Sequence, residues 1–588
     1  MTRALLCSVF LLSLSCSSSP SDNGSTSGSS GESSTSGGSG TQSGAGSSST
    51  AAGAGATASG GAGNGFAGAG GASGTAGAGG TATAGGAGAT VAGSVTQWGN
   101  DIARSAHWVD ASLTQANVKT KMAQDTFPAP TGATTEYAGK FAGELAALPL
   151  YLAGATAGAG EYIAVTTQND VYAFHETTGA LVWKHNVGAN IAAGGSLCGT
   201  PTNHGIVGTP VIDATARVIY LVAGIATPEH HEIHALNADT GMELTGGWPV
   251  DVSKIKAGTL AFDEKVQNQR SALSLVNGVV YASFGGYCGD QGDYHGWVIG
   301  VNSKDPTKTG AWATIEQQAG IWAPGGMASD GTGVFAVTGN SGIMGDHTNS
   351  DSEEIIRVTG LGVGMRDTKD MFFPSEWATP MNAHDLDFGS SSPAVITVPN
   401  STPSTVIVAP SKNGRVYFLD AGNLGASLGQ FADMAVADTT GASVYTAPSA
   451  YTSASGVHVA ITTGAGSQCP GTGNDGSVMS ILMQPGMTPT AAPTPKISWC
   501  AAIATDATIH RSPISTNSSG STDPIVWLVN GTKLNAFDGE TGASLYTGGT
   551  GTCGGVHAFT TLIDANGHLI MGGDAAGQAH LCSWSVHN

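Results

Sequence analysis

The residues best placed to do chemistry stand in the run His384-Asp385-Leu386-Asp387-Phe388-Gly389-Ser390. If this segment is extended, Asp385 and Asp387 face one way while Leu386 faces the other. Such a pair can ligate a cation or act as general base on an alcohol, with His384 as a third acid–base candidate. The competing use is structural, an Asp tying strand ends between neighbouring sheets. Arg270, beside a strand start in a charge-poor acidic chain, is suited to hold a carboxylate of a cofactor or substrate. Capping loop carbonyls or closing a salt bridge is its ordinary alternative. Asp290 and Asp293 can bind Ca2+ together with backbone carbonyls, although no EF-hand type loop is present. Turn capping is the plainer use of both. In Glu229-His230-His231-Glu232-Ile233-His234, strand geometry puts His230, Glu232 and His234 on one face, a set able to bind Zn2+ or Cu2+. The same residues also suit a solvated polar hairpin, and the HExxH spacing is not met. Neither a P-loop nor a Gly-x-Ser-x-Gly elbow occurs.

The elements that must position these residues are short strands. The stretch Gln269 to Asn302 shows the plan: an apolar run, Asn277-Gly278, the run Val279 to Phe284, a Gly/Asp/Cys-rich loop from Gly285 to Gly296, then Trp297 to Val301. Asn-Gly between β-formers is a strong hairpin signal. Variants of the unit recur, from Tyr162–Trp183 through Lys533–Tyr546. Trp183, Trp248 and Trp312 return at intervals of about 65 residues, which indicates radial blades rather than a solenoid. The aromatic residue after each Thr-Gly turn is expected to wedge between adjacent blades. Counting the truncated unit His557–Trp584 gives eight blades, with seven as the alternative. That last unit lacks an outer strand, which the segment between Val118 and Phe141 can supply to close the ring and remove its edges.

Composition narrows the partners. The 588 residues carry 42 Asp+Glu against 21 Lys+Arg, net −21, a balance that argues against nucleic acid. Residues 1–15 read as a signal peptide, with Arg3 ahead of an apolar core from Ala4 to Leu14. The run Leu12-Ser13-Leu14-Ser15-Cys16 resembles a bacterial lipoprotein signal, with Ser13 where that signal favours Leu. Cys16 is then the lipidated residue, and Ser17 favours the outer membrane; an ordinary secretory cut near Ser15 is the alternative. Residues 16–95 form a Ser/Gly/Ala-rich disordered tether, with an average reach of roughly 50 Å. The propeller occupies 96–588. Six cysteines follow the signal and tether: Cys198, Cys288, Cys469, Cys500, Cys553 and Cys582. In an exported chain they suggest up to three disulfides, with 553–582 and 469–500 the local choices, leaving 198–288. None has zinc spacing.

The sequence from Val171 to Trp183, VYAFHETTGALVW, resembles the repeat of the pyrroloquinoline-quinone (PQQ) type quinoprotein β-propellers. Phe537 to Gly542 and Asn237 to Gly241 are similar to its turn, and Gln269 to Leu273, Tyr294 to Trp297 and Asp385 to Ser390 are typical of the broad group. The resemblance covers about Trp98 to Ser585. It implies an all-β, eight-bladed propeller of four-stranded antiparallel blades and, in the enzymes of the family, PQQ and Ca2+ at a central funnel. The alcohol and methanol dehydrogenases stack the quinone between a Trp and a disulfide of adjacent cysteines; this chain has no Cys-Cys pair and no CxxCH haem motif. The expected function is therefore an envelope-tethered or secreted bacterial binding or scaffold module. It is monomeric, with an envelope protein or polysaccharide as partner, no cofactor, and membrane contact only through a lipid anchor. The alternative is a PQQ- and Ca2+-dependent dehydrogenase of alcohols or sugars.

Overall fold

The computed structural model describes residues 93–587, apart from 131–135, 193–200, 202, 288–289, 343–346, 348–349, 365, 428, 440–442, 465, 470–476, 504–510, 550, 554–558 and 576–577. The expected signal, Cys16 and nearly all of the tether lie outside the described residues, as do Cys198 and Cys288.

Eight sheets of four or five strands follow one another along the chain and form an eight-bladed β-propeller. We number the blades 1 to 8: residues 150–186, 211–251, 267–313, 328–372, 394–435, 449–502, 514–549 and 562–586. Apart from the strands that the N-terminal segment adds to blades 7 and 8, the strands of each blade pair antiparallel, in chain order from the inner to the outer edge. Burial explains the architecture. Middle strands such as Val279–Gly286 and Trp297–Asn302 are covered on both faces and read as near-continuous apolar runs. Their hairpin partner starts at the expected turn: Asn277 and Gly278 both take positive φ (52° and 75°), and Val276 pairs with Val279.

The ring closes as the sequence implies. Met122–Asp125 pairs antiparallel with Gln578–Val586 and supplies the outer strand of blade 8. A helix spans Gln115–Lys121 just ahead of that closing strand. Thr114 caps it by accepting from the Asn117 amide. His107–Val109 adds a parallel inner strand to blade 7.

The segment before that strand has no counterpart in the sequence reading. Residues 95–106 run inside the ring and bond to inner strands one blade after another. Val95 exchanges hydrogen bonds with Tyr151 of blade 1; Ile212 donates to Thr96 O, Ser329 to Ile102 O, Val395 to Ala103 O, Ala450 to Ser105 O and Ser515 to Ala106 O, all at 2.7–3.0 Å. Arg104, fully buried, serves blade 3 by donating to Leu273 O and Ser274 Oγ, and it also reaches Trp98 O and Met327 O.

Tryptophans at the landmark positions pack at the junctions of neighbouring blades, as expected. Trp183 donates from Nε1 to Ala238 O of the next blade (2.9 Å), and its ring lies where a Cβ on Gly241 would sit. Trp312 packs against Gly364 of blade 4. Trp248 lies 5.5 Å from the Tyr220 ring, within the apolar cluster that blades 2 and 3 share. Trp499 repeats the first arrangement, donating to Gly539 O at 2.7 Å. Disulfides join Cys469 to Cys500 and Cys553 to Cys582, the two local pairings expected.

Candidate functional site

The turns between second and third strands lie at one end of the blades. There the loops of blades 3, 4 and 5 meet the connections between those blades. Gly339 marks this turn in blade 4 and Ser411-Lys412-Asn413-Gly414 in blade 5. Asp385 and Asp387 come from the connection leading into blade 5.

These two acids are brought together, but not by an extended segment. Residues 382–384 form a 3-10 turn and Asp385 takes a left-handed conformation, φ 56°. That reversal lets both carboxylates reach one cation: Lys412 Nζ stands 3.0 Å from Asp385 Oδ2 and 2.9 Å from Asp387 Oδ2. Asp387 is almost fully buried and also accepts from the Asn340 amide (3.0 Å) and Ser390 Oγ (3.2 Å). Asp385 is the open member, 39% exposed. Beneath them Glu353, fully buried, accepts from the Phe388 amide at 2.5 Å.

The pair is electrically split. Burial and the Asp387 charge push Asp385 up to about 7, against the pull of Lys412. Burial alone would raise Asp387 as well. The Lys412 charge and the Asn340 amide overcome it and hold Asp387 below the usual carboxylate range. Burial, reinforced by Asp387, raises Glu353 well above the ordinary range. At neutral pH the site therefore combines a fixed Lys412–Asp387 ion pair with one carboxyl, Asp385, poised to gain or lose a proton.

Beside this cluster lies the indole of Trp322, half-buried, on a bed of glycines from two loops and a strand end. A Cβ on Gly320 would meet its ring at 1.8 Å, one on Gly285 at 2.5 Å, and one on Gly339 at 3.0 Å while also striking Asp387 Oδ1 at 2.8 Å. Any side chain at Gly320 would displace the ring, so glycine sets the platform's position. Tyr294, fully buried, packs edge-on 6.3 Å from Trp322 and donates to Asp290 Oδ1 at 2.7 Å. Burial, then the Asp290 charge, and after it Asp387 and Asp385, raise its phenol.

The other sequence candidates behave differently. Arg270 borders the platform: its Nε donates to Trp322 O at 3.0 Å and its guanidinium lies 5.2 Å from the Phe559 ring centroid. It thus caps a loop carbonyl. His384 is exposed, with Nδ1 3.1 Å from Pro380 O. Asp293 is exposed, and Asp290 accepts from Tyr294. His230, Glu232 and His234 do share a face of one strand. The Glu232 carboxylate sits between the imidazoles, 3.1 Å from His230 Nε2 and 3.5 Å from His234 Nε2, while Glu243 holds His234 Nδ1 at 2.7 Å. The imidazoles at the two ends of this ladder contact different carboxylate oxygens rather than a common centre. Among the described residues no group of three or more His, Cys, Asp or Glu could hold a metal ion.

Lys412, Trp322 and Glu353 were not singled out by the sequence. Lys412 had one signal, a cation in a Ser-Lys-Asn-Gly turn of a chain with few cations. Trp322 and Glu353 had none, since both act through tertiary contacts.

No protein-family model matches the chain, and no curated protein matches it. Solved structures do. The chain is similar to the quinohemoprotein alcohol dehydrogenase of Pseudomonas putida (TM-score 0.56, 13% identity, covering 84% of this chain and 80% of that one). It is also similar to the quinohemoprotein alcohol dehydrogenase of Comamonas testosteroni (0.52, 12%, 84% and 80%) and to a europium-containing methanol dehydrogenase (0.51, 12%, 84% and 98%). The fold is that of a quinoprotein alcohol dehydrogenase-like propeller. Identity this low carries the fold and leaves the activity to the site.

Proposed function

We propose that this protein is an extracytoplasmic binding module whose funnel takes a hydroxyl-rich ligand, with envelope polysaccharide as the partner class. The observation that carries this is the juxtaposition of the half-buried Trp322 platform with the Lys412–Asp387–Asp385 cluster. An aromatic face offers apolar area to a sugar ring. Charged groups beside it offer strong hydrogen bonds to hydroxyls. The two disulfides support an oxidising compartment. No helix among the described residues is long and apolar enough to cross a membrane, and attachment through Cys16 remains part of the proposal. Calorimetric titration with a panel of cell-wall and capsular oligosaccharides tests it. Saturable binding abolished by Trp322→Ala supports the reading; binding indifferent to that change would overturn it.

One observation favours a second reading, dehydrogenation of an alcohol: Asp385, pushed up to about 7, is poised as a proton acceptor beside Trp322. The fold family implies PQQ and a metal ion. Trp322 fits a stacked planar ring, but the opposing adjacent-cysteine disulfide is missing from the sequence. Asp385 and Asp387, beside the platform, are already committed to Lys412. The donor set does not fit the metal, and no catalytic step is derived through either group. Reconstitution with PQQ and Ca2+, read by quinone absorbance and by dye reduction with an alcohol panel, separates the two readings. A spectral change with turnover favours the dehydrogenase, and neither effect sinks it.

A further inference from the structure

The end of the propeller opposite the funnel carries a second feature of chemical interest. Asp110 follows the inner strand His107–Val109, and Asp564 ends the first strand of blade 8, just before the turn Ala565-Asn566-Gly567-His568. Turns between first and second strands lie at the other end of a blade from turns between second and third strands, so this site is separate from Lys412 and its partners. The Asp564 carboxyl interacts with that of Asp110 and accepts from the Gly567 amide. Asp564 is only 4% exposed, and its buried Oδ1 has no hydrogen-bond donor. Asp110 is half-buried, open to entry from solvent. Its Oδ1 accepts from the Ser112 amide (2.8 Å) and Ser112 Oγ (2.6 Å). Gly567 adjoins them: a Cβ there would lie 3.0 Å from Ser112 Oγ and 3.5 Å from Asp110 Oδ2, so the absent side chain leaves room beside these oxygens.

Two carboxyls in contact must share a proton or a cation. We propose that Asp110, Asp564 and Ser112 hold a hard divalent cation of the Ca2+ class, which fastens the N-terminal segment to blade 8. The donors are all oxygen, as such ions require, and three protein oxygens leave the remaining six-to-eight-fold coordination to water and main-chain carbonyls. The position gives the ion a structural task. It bridges the segment threaded through the ring to the blade completed by Met122–Asp125, the two places where the N-terminal chain closes the propeller. The ion binds only the closed form, and it therefore raises the stability of closure.

The test uses the tag-free, chelator-stripped protein and CaCl2 alone, with MgCl2 as the comparison. The thermal unfolding midpoint is expected to rise with CaCl2 and saturate at about 0.1–1 mM, the range of extracellular calcium modules, and to respond less to MgCl2. Asp110→Asn, at the half-buried position, is expected to fold and to lose the calcium response; Asp564→Asn is expected to lose it too. Asp385→Asn, in the funnel, is expected to keep it. Absence of any calcium shift in the wild-type protein would show a shared proton only and overturn the proposal. A shift that survives Asp110→Asn, or one abolished by Asp385→Asn, would overturn it as well.

Discussion

Lys412 Nζ and Asp387 Oδ2 stand 2.9 Å apart with their side chains 10% and 4% exposed, an ion pair almost out of water. It fixes the turn that presents Asp385 and borders the indole of Trp322. Breaking such a pair from one side leaves the other charge buried and unpaired. Lys412→Met is accordingly expected to cost about 3–5 kcal/mol in urea unfolding, and Asp387→Asn combined with it to recover part of that loss. A loss under about 1 kcal/mol, the value of an exposed pair, would contradict the buried description.

Asp385 titrates near neutrality because burial and Asp387 both oppose its charge. Its folded pKa exceeds its unfolded one, so the stability it contributes is fully present below pH about 4 and is lost as pH rises through about 7. Carboxylate infrared titration is expected to find a midpoint near 7 in the wild-type protein. Asp387→Asn, which removes the opposing charge, is expected to lower it.

Asp125 works in the opposite direction. Burial would raise its carboxyl, but hydrogen bonds from His568, Ser583 Oγ (2.6 Å) and Ser585 Oγ (2.7 Å) hold it well below the usual carboxylate range. Its stabilisation is present above the ordinary Asp pKa near 4 and is lost as pH falls below that. Hydrogen exchange is expected to show the pairing of Met122–Asp125 with Gln578–Val586 loosening in acid before the central strands do, and in Asp125→Ala at neutral pH.

Arg104 donates to the main-chain oxygens of Trp98, Leu273 and Met327 from full burial. Desolvation lowers its pKa to about 10, which still leaves it charged at neutral pH. Arg104→Ala removes the side-chain donor from the Trp98 and Leu273 carbonyls, each such loss costing about 1–3 kcal/mol, while Met327 O keeps Ser274 Oγ. Equilibrium unfolding is expected to show a loss of several kcal/mol. A variant within about 0.5 kcal/mol of wild type would mean that the threaded segment is dispensable.

The blades were legible because they rest on local signals: Asn277-Gly278 forces a hairpin, and Thr-Gly turns announce the tryptophans that dock on the next blade. The closing strand was legible as a deficit, one outer strand too few in blade 8. The threaded segment 95–106 was not, since its bonds are main-chain contacts to six separate blades, with the Arg104 side chain serving a seventh, and leave no periodicity in sequence. Asp385 and Asp387 converge as expected, yet through a left-handed turn that alternation along a strand does not describe. Their shared partner Lys412 lies in a turn of blade 5, 25 residues beyond Asp387, where spacing says nothing. The His230–Glu232–His234 face formed as read, but the spacing of a strand places the carboxylate between the imidazoles and keeps them apart.

Trp322 and Lys412 are expected to build one ligand site. Calorimetric titration of envelope oligosaccharides into wild type, Trp322→Ala and Lys412→Met tests it most directly. The expected result is saturable binding in the wild-type protein, with a loss of at least about tenfold in each variant, equivalent to about 1.4 kcal/mol. Binding of equal strength in all three proteins, or no saccharide binding by the wild type, would contradict it.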